Sequence, residues 1–163
     1  MNAADLISQV KQQPRLRMEV GLLLDGTAFA EARRLQDRLS RMQHQPDDDD
    51  VTAEGVGEIV ARLEQIYRET EETVFTLEAL SASEWEALHG KHDDMHDFPI
   101  ALFAACCKEP DGWTFETARD LKGTLTAGQW ATLVLALQQL NEGLFDLRPT
   151  QAATGRMHGT RQN

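Results

Sequence analysis

The sequence predicts a single α+β domain, mostly α-helical, in which a two-stranded antiparallel ribbon carries an inserted helical hairpin and leads into a C-terminal helical bundle. Three observations predict it. Two short segments, Leu16 to Leu24 and Val74 to Leu80, alternate apolar and polar residues with period two, as strands with one buried face do. Between them lie two stretches whose apolar residues step by three and four. Beyond them, capping-box spacings recur ahead of apolar helical runs.

Taken in order, Asn2 to Gln12 reads as a short helix with Leu6, Ile7 and Val10 on one side, ended by Pro14. The first strand follows, with Leu16, Met18, Val20, Leu22 and Leu24 as its buried face. Asp25-Gly26 then turns the chain, and Thr27 is placed to cap the next helix. That helix carries Ala28, Ala32, Leu35, Leu39 and Met42 as a stripe. Its mate carries Val56, Ile59, Leu63 and Ile66, so the two predict a helical hairpin between strands that pair with each other. Phe75, Leu77 and Ala79 mark the second strand.

The remainder is helical. Ser83 and Glu86 have capping-box spacing for a short helix through Trp85 and Leu88, followed by a polar connection from His89 to Asp97. Asp97 fits an N-cap, with Pro99 in the first turn, for a helix running to about Lys108. Thr114 opens a helix ending near Gly123, and Thr126 with Gln129 opens another that Gly143 ends. Residues 1–148 are thus one domain, with 1–14 an N-terminal extension and 45–53 an acidic loop. Residues 149–163, without apolar periodicity, read as a disordered tail.

With 163 residues the chain is long enough to bury a core without disulfides or metals, and Cys106 and Cys107 are adjacent, poor geometry for a structural bridge. A reducing cytoplasmic setting follows. No apolar stretch approaches the roughly 20 residues of a membrane span, and no signal peptide is evident. The net charge of −11 is uneven: 7 basic and 5 acidic residues up to His44, 3 and 16 from Gln45 to Asp97, 6 and 6 thereafter. The acidic middle repels phosphate backbones and argues against nucleic-acid or membrane binding.

Catalytic candidates are weak. His89, His92 and His96 have spacings that can converge on a metal, but Gly90 stands where the metalloprotease pattern needs its glutamate, and a solvated loop is favoured. The four aspartates Asp47 to Asp50 lack the turn glycine of a calcium loop. Cys106 and Cys107 follow two alanines on an apolar helix, where small residues serve packing, with Lys108 as the one neighbouring cation. No phosphate-binding glycine loop or Gly-x-Ser-x-Gly occurs. The sequence therefore predicts no catalytic residue, no metal site and no cofactor. The helix Ala127–Asn141 is apolar on more than one side, however, which reads first as burial in its own domain and second as a face shared with a partner; for the second, Leu102, Trp130, Leu133 and Leu137 are the candidate partner-binding residues.

The run Phe98-Pro99-Ile100-Ala101-Leu102-Phe103-Ala104-Ala105-Cys106-Cys107-Lys108-Glu109-Pro110 resembles the central motif of the tail assembly chaperones of siphophages, especially those infecting actinobacteria. The segment Ser83-Glu84-Trp85-Glu86-Ala87-Leu88 before it, and Leu125-Thr126-Ala127-Gly128-Gln129-Trp130 after it, are similar to that family's flanking helices. The likeness spans about Leu16 to Gly143. It implies a non-enzymatic protein that binds the tape-measure protein in the host cytoplasm, keeps it soluble, helps recruit tail-tube subunits and is absent from the mature virion. Rival readings are a structural tail or connector protein of the virion, an acidic DNA-mimic inhibitor, and a metal-dependent enzyme using the three histidines.

Overall fold

A computed structural model describes residues 2–44 and 53–143. The predicted tail 149–163 and the acidic loop 45–53, apart from Ala53, lie outside them. The chain order is α1 (Ala3–Gln12), β1 (Arg17–Leu23), α2 (Gly26–His44), α3 (Ala53–Glu69), β2 (Glu72–Glu78), α4 (Ala82–Lys91), α5 (Phe98–Cys106), β3 (Cys107–Glu109), α6 (Phe115–Thr124) and α7 (Ala127–Glu142).

β1 and β2 pair antiparallel from Arg17 opposite Glu78 to Leu23 opposite Glu72, and the helical hairpin is inserted between them as expected. The ribbon is not two-stranded: β3 adds to the far side of β2, with Glu109 opposite Thr76 and Cys107 opposite Leu77, giving the order β1-β2-β3. The helix expected to reach Lys108 therefore stops at Cys106. Residues 107–109 instead complete the ladder of β2, whose backbone groups would otherwise lie open on that side.

One sheet face is the core. Leu22, Phe75 and Leu77 are buried against α5, α6 and α7 through Ile100, Leu102, Phe103, Cys106, Ala118, Trp130, Leu133 and Leu137, with Met18 and Val20 half-buried at its margin. Phe103 is the ring at the centre: Phe75, Trp113 and Trp130 surround it at centroid distances of 5.8, 5.0 and 5.8 Å. On the opposite face the end of β1 is buried, where Leu23 packs with Ala32 and Ile66 of the hairpin, while Thr76 and Glu78 are half-buried. The strand's period-two pattern thus breaks at its end. Leu22 and Leu23 are both buried, on opposite faces, while Leu16 and Leu24, expected inside, are exposed. The hairpin is closed on its outer side by the Arg62 guanidinium, which donates to both oxygens of Glu31 at 2.7 and 3.0 Å.

Two predicted caps are displaced. Asp25, not Thr27, caps α2, its Oδ1 accepting from the N–H groups of Thr27 and Ala28 at 2.9 Å. The box of α4 is Ser81 with Glu84, not Ser83 with Glu86. Asp97 precedes α5 with helical backbone and no side-chain cap bond, while Pro99 sits in the first turn as expected. The boxes Thr114–Thr117 on α6 and Thr126–Gln129 on α7 are formed, and α7 ends at Gly143, whose φ of 61° suits a residue without Cβ.

Candidate interaction surfaces

Each of the four sequence-predicted partner-binding residues lies in the domain's own core. Leu133 and Leu137 are 0% exposed, Leu102 2% and Trp130 9%. The extra apolar breadth of α7 is spent on packing between the sheet, α5 and α2, because a helix laid across a sheet and flanked by others needs more than one apolar side. The large apolar residue that α7 leaves outside is Leu135, 48% exposed.

Leu135 stands on the rim of a groove of about 540 Å³ beside β1, lined also by Met18, Val20, Phe29, Ala131 and Ala136. Backbone chemistry defines its floor. The Ala79 N–H donates to the Leu16 carbonyl at 2.9 Å, so residues 16, 18, 20 and 22 exchange ladder bonds with β2. The N–H and C=O groups of Arg17, Glu19, Gly21 and Leu23 consequently point away from it. β1 is an edge strand, and the Leu23 end of that edge is closed by Gln129. This side chain, 1% exposed, donates through Nε2 to the carbonyls of Leu23 at 2.8 Å and Leu24 at 2.9 Å. Its Oε1 accepts from the backbone N–H of Thr126 at 2.8 Å and from the Thr126 hydroxyl at 3.0 Å. The starts of α2 and α7 meet here, and a Cβ on Gly128 would stand 3.2 Å from the Phe29 ring. Among the described residues no strand pairs with this edge from Arg17 to Gly21.

A second surface is α1. Its Asn2 cap and Asp5 form a capping box, yet it buries no residue in the domain. Leu6, Ile7 and Val10 are 48, 55 and 62% exposed, and their spacing puts them on one stripe. At the foot of α1 a cleft of about 390 Å³ is lined by Val10, Leu16, Ala79 and Leu80 together with the polar Lys11, Gln13, Arg15 and Ser81.

The histidine segment is divided between neighbours. His89 stacks on Phe98 with ring centroids 3.9 Å apart, and His92 stacks on Phe115 at 5.1 Å, so the two rings are engaged with different aromatics. Among the described residues no group of three metal-ligating side chains converges. Cys106 and Cys107 are buried thiols, each pushed up to about 11, chiefly by burial. Asn141 Nδ2 donates to the Cys106 sulfur at 3.5 Å, and the Cys107 thiol donates to the Glu109 carbonyl at 3.5 Å. Neither has the exposed, cation-flanked setting of a reactive thiolate. Thiol-reagent titration at pH 8 is expected to label neither cysteine in the folded chain within minutes and both in denaturant; rapid labelling of the native protein would contradict their burial.

These features define a small α+β domain whose distinctive surfaces, among the described residues, are an open strand edge and an amphipathic helix without a mate. The chain matches no protein-family model, no curated protein and no solved structure. Among the described residues no helix is long and apolar enough to cross a membrane. The run Asp47 to Asp50, the loop within the acidic middle that argues against the DNA-mimic reading, lies outside the described residues.

Sequence reasoning missed the groove, while of the two readings open for α7, burial in its own domain or a face shared with a partner, Trp130, Leu133 and Leu137 take the first. The signals it had were the lone stripe of α1, with no second stripe beside it in sequence, and the alternation of β1.

Proposed function

We propose that the chain is a tail assembly chaperone of the siphophage kind, a non-enzymatic protein that binds the tape-measure protein in the host cytoplasm, holds it soluble during tail-tube assembly and does not remain in the virion. The observation that carries this reading is the apolar stripe of α1, presented to solvent with no mate among the described residues. A stripe of Leu6, Ile7 and Val10 is the complement of another amphipathic helix, and pairing the two removes both from water. Tape-measure proteins are long and helical, so their unassembled segments offer such stripes. The acidic middle of the chain supports the same role by keeping a complex with an apolar partner dissolved. The likeness of Phe98 to Pro110 to the family motif supports the fold rather than the contact, since that segment is largely interior.

The test is co-expression with the tape-measure protein of the same genome. This chain is expected to raise that protein's soluble fraction and to co-purify with it. Ile7→Asp with Val10→Asp is expected to abolish co-purification while changing the domain's stability by less than about 0.5 kcal/mol, because both side chains are surface groups without partners. An insoluble partner in the presence of well-folded chain would sink the proposal. A chain recovered stoichiometrically from purified virions would replace it with the structural-protein reading.

A further inference from the structure

We infer that the open edge of β1 pairs with β1 of a second copy of this chain, across a two-fold axis at Met18, to join two three-stranded sheets into one of six. The inference does not depend on the chaperone reading. The edge offers the outward N–H and C=O groups of Arg17, Glu19 and Gly21, and an exposed edge is completed most simply by another strand.

The side chains say which strand. A two-fold antiparallel pairing centred on Met18 sets Arg17 opposite Glu19 of the second copy and Glu19 opposite its Arg17, two opposite-charge pairs on one face. Arg17 already holds Glu78 at 2.7 Å, so it would lie between two carboxylates. On the other face the same pairing sets Leu16 opposite Val20 and Met18 opposite Met18, on the side where the apolar groove opens. Leu16, 63% exposed, is thereby given a covered position.

The neighbouring registers fail. Centring on Glu19 opposes two like charges. Centring on Val20 sets Arg17 opposite Leu23, whose carbonyl already accepts from Gln129. The Met18 register alone satisfies both the charges and the open backbone groups. Of the residues that line the gap from α7, Gly128, Ala131, Leu135 and Ala136 are small or apolar and Thr132 and Gln139 are polar, while Arg33 lines it from α2.

The experiment is sedimentation of the full chain over a concentration series. The wild type is expected to move from 18.3 kDa to twice that mass. Glu19→Arg and Arg17→Glu, each alone, are expected to weaken association by about tenfold or more, since each sets like charges opposite one another. Mixed in equal amounts they restore every opposite-charge pair, and the mixture is expected to dimerise as the wild type does. Met18→Cys supplies an independent reading: it is expected to form a disulfide-linked dimer under mild oxidation, because Cys106 and Cys107 are buried and do not compete. A wild type that stays at 18.3 kDa throughout, with no cross-link through position 18, overturns the inference. A dimer that both charge variants leave unchanged overturns the register.

Discussion

Phe103→Ala is expected to remove about 3–5 kcal/mol of stability, the largest loss from any single truncation in this chain. Phe103 is 0% exposed and is the ring at which the sheet, through Phe75, meets the loop after β3, through Trp113, and α7, through Trp130. Deleting it loses the transfer of a whole phenyl group and leaves a cavity bounded by three other rings, which cannot collapse into the space without abandoning their own contacts. Domains of this size have about 5–15 kcal/mol in total, so the variant is expected to retain helix but lose fixed packing at modest temperature. Urea denaturation followed by near-ultraviolet circular dichroism tests this, because Trp113 and Trp130 report the same cluster. Phe103→Leu, which keeps most of the apolar volume, is expected to lose less. A loss below about 1 kcal/mol for the alanine variant would mean that the ring is not the keystone its surroundings suggest.

The parts of the fold that were legible in the sequence are those written in local periodicity. Leu16 to Leu24 and Val74 to Leu80 gave both long strands, and the paired stripes of α2 and α3 gave the hairpin, because each pattern records one buried face. β3 was not legible. Its three residues, Cys107, Lys108 and Glu109, follow α5 directly without a breaker before Pro110, and what makes them a strand is the open side of β2, 30 residues earlier in the chain. The α4 cap shows a different limit: Ser81 with Glu84 and Ser83 with Glu86 both fit the spacing, and only the actual start of the helix selects the first. The interaction surfaces were the least legible. Leu133 and Leu135 are equally apolar, and which of them faces water depends on where α7 lies on the sheet. The exposure of α1 depends on how the other described elements pack, which no local pattern records.

Gln129 illustrates the same limit in chemical terms and gives the second large effect. The sequence showed it as the third residue of a capping box, which accounts for its Oε1 alone. Its Nε2 does more, since it meets the carbonyls of Leu23 and Leu24 at the closed end of the β1 edge, about 105 residues away in sequence. Gln129→Leu keeps much of the volume and removes all of these side-chain bonds at once, leaving the buried Leu23 carbonyl and the Thr126 N–H unpaired while the Thr126 hydroxyl still caps the N–H of residue 129. The expected cost is about 2–4 kcal/mol, given that each buried group left without a partner costs roughly 1–3 kcal/mol. Thermal unfolding is expected to fall by roughly 10 °C. Gln129→Glu separates this account from one based on volume. The isosteric carboxylate keeps the cap but sets negative charge against two carbonyl oxygens, so it folds best when protonated, with its O–H donating where Nε2 did. Its pKa is raised on folding, the folded state then binds more protons than the unfolded, and stability is expected to rise as pH falls from 8 towards 5 relative to the wild type. If the glutamate variant instead matched the wild type at pH 8, the bonds to Leu23 and Leu24 would not be what closes the edge, and the boundary they set on strand pairing at β1 would go with them.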